Sequence, residues 1–433
     1  MSDVARMKSI QILHNNPFLK GVTVLASGAV FAQIIFVLFS PVLTRIFTPS
    51  EFGLLALFMA MVNGLSPAVC GKYEIAMVLP TQQKQALHLF GIAIYFSTFA
   101  ALFILIFLLF GNEWVIHLLK AEKLSLYIYL VPFVIFIIGI VQANNYFANR
   151  MEEYSKLANA KLIEATSTVL FSIILGLMGY GLGGLIFAYL ISLLLVSIYL
   201  FHGTFHDFIT TFTKDFSDKY ALAKKYRDYP LYNASSALLN GITLVLPVFL
   251  LNHFVTVEMV GYFMLIQRII AKPLTVLATS VSMVNLKKVV EITQNGQSIV
   301  PYLNKTLSIL LGIALIPVLL VFLGGKAIPW VFGPQWNGAV SVAMILCIPF
   351  SLRFVVTSLS STYGATNNSR IVFLKRIISF VILLSVFLLS AFLIADQGPQ
   401  ELTVIWILAI ALIIDDLISL ILIYTSATDP KYR

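Results

Sequence analysis

Twelve apolar runs, each about as long as a bilayer's hydrocarbon is thick, leave this chain little choice of solvent. They cover roughly residues 22–44, 53–71, 86–110, 125–147, 158–178, 182–202, 231–253, 259–284, 302–324, 338–360, 372–395 and 402–425. A spanning helix needs about 20 mostly apolar residues. Within hydrocarbon every backbone polar group must find its partner inside the chain, which a helix provides and an open strand does not. Of 433 residues, 59% are hydrophobic and 11% charged, against roughly 25% charged in a soluble domain. The expected fold class is all-α, an integral membrane protein of about 12 transmembrane helices with little left over for a soluble domain. The first run is longer than a signal-peptide core and no small-residue cleavage pattern follows it, so it is expected to remain as the first span.

The basic residues give an orientation. With the N-terminus placed in the cytoplasm, 21 Lys and Arg fall in inside segments and 4 (Arg45, Lys120, Lys123, Lys326) in outside ones. That asymmetry predicts an even span count with both termini inside. The net charge of +9 is then mostly topological, and nucleic-acid binding is not expected. Cys70 and Cys347 lie at or within spans and read as small apolar residues, not a disulfide pair. No metal-ligand cluster, phosphate loop or nucleophile motif occurs, so no cofactor or metal is expected.

A basic connection, 204–229, divides the chain into two six-helix halves, 1–203 and 230–433. The halves resemble each other. Pro17 to Gly28 aligns with Pro230 to Gly241, Phe47 to Gly53 with Val255 to Gly261, Phe110 to Trp114 with Phe332 to Trp336, and Tyr146 to Ala148 with Tyr363 to Ala365. Four matches in one order predict two six-helix bundles related by a parallel repeat, about an axis along the membrane normal. Substrates of such transporters lie between the halves. In the first helices Lys20, Thr23 and Ser27 share one face, as do Tyr229, Asn233, Ser236 and Asn240. These polar stripes are expected to line a wet cavity. Interhelical hydrogen bonding is the plainer alternative.

Charges inside the spans carry the chemistry. Arg268 and Lys272 share a face of the eighth span, and Arg353 lies in the tenth with no acidic residue beside it. An arginine in hydrocarbon costs about 2.5–3.5 kcal/mol on insertion scales, so these three are expected to meet an anion, such as a phosphate or pyrophosphate. Ion pairing with Asp415, Asp416 or Glu164 is the structural alternative. Glu164 has Lys161 one turn away, and adjacent Asp415 and Asp416 would not ionise together easily. All three are candidates for proton or sodium coupling. Lys72 and Glu74 are either ordinary interfacial charges or a gate, and Lys20 and Lys72 are expected to help gather the anion. Trp114, Trp330 and Trp336 near span ends are expected interface anchors.

The stretches Pro41 to Gly53, Lys72 to Pro80, Val260 to Phe263 and Phe332 to Trp336, with the span layout, resemble the oligosaccharide (Wzx-type) flippase family. That family is part of the multidrug/oligosaccharidyl-lipid/polysaccharide (MOP) exporter superfamily. The resemblance covers nearly the whole chain. It implies a MATE-like pair of six-helix bundles around a cationic cavity, in a bacterial inner membrane. It implies as cargo an undecaprenyl-pyrophosphate-linked oligosaccharide, the repeat unit of an O-antigen, capsule or exopolysaccharide, moved from the cytoplasmic to the periplasmic leaflet. Polysaccharide polymerase and chain-length proteins are then expected neighbours. The motifs carry over no binding residue. Asn337-Gly338-Ala339 departs from the usual Ala-Gly after the tryptophan. Three rivals stay open. A drug/cation antiporter of the same superfamily should show acidic cavity charges. A membrane polymerase or glycosyltransferase should need a large extramembrane loop, and the outer loops here run about 3–15 residues. A lipid II flippase usually has fourteen spans.

Overall fold

The computed structural model describes residues 17–204, 216–365, 369–397 and 401–428, except for the side chains of 17–20, 22, 216–217, 364–365, 369–370, 372–373 and 392–397. Among the described residues twelve helices are long and apolar enough to cross a membrane, and the chain is an all-α multi-pass membrane protein. In chain order the first half comprises α1 (Pro17–Ile46), α2 (Pro49–Leu65), α3 (Gln83–Leu119), α4 (Val131–Arg150), α5 (Tyr154–Leu177) and α6 (Gly181–His202). The second comprises α7 (Ser235–Phe254), α8 (Val257–Gln294), α9 (Val300–Gly324), α10 (Ala339–Leu359), α11 (Ser369–Gln397) and α12 (Glu401–Ala427). The third and eighth helices run well past the expected ends.

Between the halves, Phe216–Lys225 forms a short helix. It is held against the first half by Tyr73, whose hydroxyl donates to the Ala223 carbonyl (3.1 Å), and by a Lys84–Asp218 ion pair (3.6 Å). We call this the linker end, and the opposite end, where α1 turns into α2, the far end.

The repeat is visible where the halves meet at the far end. Thr48 caps α2 by accepting from the Glu51 N–H, and Thr256 caps α8 by accepting from the Met259 N–H. Each cap satisfies an orphan donor of a helix start. Five residues past each cap sits a glycine. A Cβ on Gly53 would run into the Val257 carbonyl, and one on Gly261 would run into the Pro49 carbonyl. These contacts are reciprocal, as a two-fold relation requires. Ser50 hydrogen-bonds Glu258 across the same junction.

Other matched segments have diverged. Phe110 and Trp114 are exposed on a continuous α3. Their counterparts Phe332 and Trp336 flank a break at Gly333, whose φ of 110° suits glycine alone. Trp336 is not an interface anchor, because it is completely buried. Its indole donates to the Thr44 carbonyl (2.8 Å), as does the Gln335 amide (2.8 Å). Both serve this one carbonyl in the last turn of α1, where helical donors run out. Trp114 and Trp330 are exposed as expected, and both cysteines are buried and free.

One local rule shapes α8. Pro273 has no N–H to give back along the helix. The turn before it widens into a π-segment, Gln267–Ala271, and the Lys272 N–H reaches the Gln267 carbonyl. The Arg268 carbonyl, deprived of both helical donors, accepts instead from Gln33 of α1 (3.2 Å). A proline thus ties the two halves at mid-depth.

Candidate functional site

That tie sits in the wall of a cavity of about 390 Å³ between the halves, lined by α1, α2, α5, α6 and α8. Arg268 and Lys272, one turn apart, both line it. Lys272 is exposed, so the protein does not seal the cavity. The Arg268 guanidinium lies 5.5 Å from the ring centre of Phe36 and 5.6 Å from that of Phe52. Ring faces attract the cation without neutralising it. Its Nη1 is buried and has no hydrogen-bond partner. A guanidinium presents five donors in a fork suited to carboxylate or phosphate, and here part of that fork is free.

The one carboxylate lining this cavity is Glu164. It pairs with Lys161 at 3.1 Å, the local i,i+3 pair that its spacing suggests. Thr168 and Ser172 continue the Glu164 face of α5 into the cavity, and Gln33, Asn63 and Tyr189 add polar groups. These residues were not singled out from the sequence. The 164–168–172 spacing and the lone amide in α1 were the available signals.

Arg353 belongs elsewhere, and here the structure corrects the expectation of one shared cationic cavity. It lines a chamber of about 280 Å³ within the second half, among α7, α8, α10, α11 and α12. Its Nη2 is 2.9 Å from Asp415 Oδ2 and its Nε is 2.9 Å from Asp416 Oδ1. The Asp416 contact lacks hydrogen-bond alignment, since neither of its oxygens accepts one. Asp415 also accepts from the Ser379 hydroxyl (2.5 Å) and lies 3.8 Å from Lys375. Arg353 and Lys375 therefore face two carboxylates, which balance their formal charges, while Arg376 adds a third cation to the chamber. Arg376 donates to the Ser236 hydroxyl nearby. Lys375 and Arg376 count among the inside-segment basic residues, at the start of the eleventh apolar run. In the structure they lie inside α11 and face the chamber.

The polar stripes separate in the same way. Asn240 lines the second-half chamber and Ser236 holds Arg376 there. Asn233 is exposed and Tyr229 half-buried, at the start of a second π-segment, Tyr229–Ala234. In α1 the stripe does not face a charged cavity. Thr23 and Ser27 are exposed and continue, at helical spacing, into exposed Phe31, Ile34 and Leu38. The cavity is lined instead by Gln33 and Phe36, on another face. Ser27 returns its hydroxyl to the Val24 carbonyl (2.8 Å). The Lys20 side chain lies outside the described residues.

Lys72 also stands apart from both cavities. It adopts a left-handed backbone (φ 60°) and pairs at 3.4 Å with Glu74. Glu74 is fully buried and neither of its oxygens accepts a hydrogen bond. Burial pushes its carboxyl pKa up, and the Lys72 charge pulls it partly back.

Residues 42–341 match the model of a family described as polysaccharide biosynthesis protein. No curated protein sequence matches. Solved structures share the architecture. The lipid II flippase MurJ, in an inward closed conformation, superposes with a TM-score of 0.71 at 16% identity, over 92% of this chain and 86% of its own. A multidrug resistance MATE family transporter of the MOP superfamily, in an inward-facing conformation, gives 0.66 at 14%, over 94% and 96%. A MOP superfamily transporter from Pyrococcus furiosus gives 0.59 at 13%, over 96% and 98%; it is described as having a binding pocket of reverse polarity that suggests a different function. At such identities the likeness establishes a fold, that of the MOP superfamily.

Proposed function

The chain belongs to the polysaccharide biosynthesis protein family, and on that premise we propose that it is a flippase for lipid-linked oligosaccharide. The cargo in this reading is an undecaprenyl-pyrophosphate-linked repeat unit of O-antigen, capsule or exopolysaccharide, carried from the cytoplasmic to the periplasmic leaflet of a bacterial inner membrane. The linker end and both termini then face the cytoplasm, the side favoured by the basic residues. One observation carries the assignment: Arg268 keeps a buried, unpartnered Nη1 in an unsealed cavity that it shares with Lys272. A buried donor without a partner is unfavourable, and a pyrophosphate oxygen supplies what it lacks. Gln33, Asn63, Thr168 and Tyr189 offer amides and hydroxyls to the first sugar. The polyprenyl tail stays in lipid. Rocking of the halves about the reciprocal glycine contact then moves the opening from one end to the other.

A drug/cation antiporter fits less well. The cavity between the halves has two cations and a single carboxylate already committed to Lys161. We assign any proton or sodium coupling to Glu164 rather than Asp415 or Asp416, which Arg353 holds. Polymerase and chain-length proteins remain the expected partners.

The test is genetic and biochemical. Deleting the gene should remove surface polysaccharide and leave the lipid-linked unit on the inner leaflet, with the wild-type copy restoring export. Normal surface polysaccharide in the deletion strain would overturn the function. Rescue by the Arg268→Ala/Lys272→Ala double variant would overturn the site alone.

A further inference from the structure

A third space, of about 450 Å³, lies on the opposite side of α2 and has no polar side chain in its wall. Ala60 and Gly64 of α2, Phe103 and Phe107 of α3, and Ile242 and Phe249 of α7 line it, so both halves contribute. It is continuous with the α2–α7 junction. There Gly64 and Gly241 touch so closely that a Cβ on Gly241 would strike the Gly64 carbonyl. Phe103 is 64% exposed and Phe107 48%, which opens the groove toward the bilayer.

We propose that this groove holds one acyl chain of a phospholipid from the leaflet at the far end. Three physical arguments converge on that occupant. First, a dry apolar groove of this size is unfavourable to fill with water and favourable to fill with hydrocarbon. Second, its length fits. The α3 residues in its wall run from Phe103 to Val115, about 18 Å at 1.5 Å per residue, against roughly 15 Å for one leaflet of a 30 Å core. Because α3 ends at Leu119, that stretch lies toward the far end. Third, its access fits a bilayer lipid and not the tail of a cargo held by Arg268. Met59 and Asn63 of α2 face the charged cavity while Ala60 and Gly64 face the groove. The body of α2 stands between the two. The chain would touch α3 and α7 at once and hold α2 against α7. The proposal is independent of the identity of the cargo.

Photo-labelling decides it. The protein is placed in vesicles with a phosphatidylethanolamine carrying a diazirine in its acyl chain, or in parallel with a diazirine-bearing polyprenyl phosphate, and labelled peptides are mapped. The acyl probe should label both the Phe103–Leu108 and the Ile242–Phe249 segments, above the exposed α9 residues Leu320 and Leu323. Filling the groove with Ile104→Trp or Ile242→Trp should cut that labelling about tenfold, the worth of two buried methylenes. Labelling of α9 should stay constant, which reports an intact fold. Val115→Trp, at the other end of the groove, is the second variant should either fail that check. Groove labelling no stronger than that of α9, unchanged by filling, or given preferentially by the polyprenyl probe would overturn the proposal.

Discussion

Arg268 and Arg353 look alike in the sequence, each a lone guanidinium in an apolar run, yet the fold gives them opposite fates. Arg353 meets two carboxylates from α12 and its charge is spent inside the second half. Arg268 meets two phenyl rings and a cavity, and its charge remains available. The difference lies in the facing helices. α12 presents Asp415 and Asp416 toward α10, whereas α1 and α2 present Phe36 and Phe52 toward α8. A buried ion pair stabilises little beyond its own desolvation, so Arg353 reads as architecture. An unpaired cation in a cavity between the halves reads as a binding group.

Four experiments put that contrast and its surroundings to the test. The largest effect is expected from Arg268→Ala with Lys272→Ala. Each loses a charge-assisted contact worth about 1.5–3 kcal/mol, so export should fall about a hundredfold or more in a vesicle flipping assay, with thermal stability near wild type. A stable variant with normal flipping would erase the distinction. Next comes Arg353→Ala, which strands Asp416 and leaves Asp415 to Ser379 and Lys375. It should lower stability by about 3 kcal/mol, the low end for a broken buried pair because the arginine is 34% exposed. Adding Asp415→Asn and Asp416→Asn should recover most of that loss in a thermal melt. A flipping defect with no loss of stability would instead make Arg353 a cargo ligand.

Glu74 gives a smaller effect with a defined sign. Its folded pKa is raised by burial, so the native state holds its proton more tightly than the unfolded state does. The stability tied to that proton is present at low pH and is lost as pH rises from the ordinary glutamate pKa through the raised one. Glu74→Gln should therefore melt higher than wild type at neutral and alkaline pH, with the gain shrinking as pH falls through that window. A gain independent of pH would show that packing, not ionisation, is responsible. The smallest effect separates the polar stripes. Thr23→Ala and Ser27→Ala should change flipping by less than about twofold, as exposed substitutions usually do. Asn240→Ala, beside the charged cluster of the second half, should cost measurable stability. Equal effects in the two stripes would restore their equivalence.

The spans were legible because hydrophobic length is a property of contiguous residues. Thr48 and Thr256 align as a matched pair within the repeat, but only the structure shows that both are caps. Glycines 53 and 261 were found by alignment, but their reciprocal contact was not, since it depends on how the halves dock. Trp336 shows the limit well. Its counterpart Trp114 lies on a helix facing outward, and a single break at Gly333 turns Trp336 into the core. The α1 stripe failed for a rotational reason: periodicity says which residues share a face and cannot say which way that face points.

The order of amino acids by itself determined the solvent, the number of crossings, the twofold repeat and the presence of cations that hydrocarbon alone would not tolerate. Those follow from local length, spacing and transfer energy. Tertiary structure alone decided which cation is answered by a carboxylate and which is left for a ligand. Electrostatic partnership depends on distances of a few ångströms between helices far apart along the chain, and no local pattern encodes that distance.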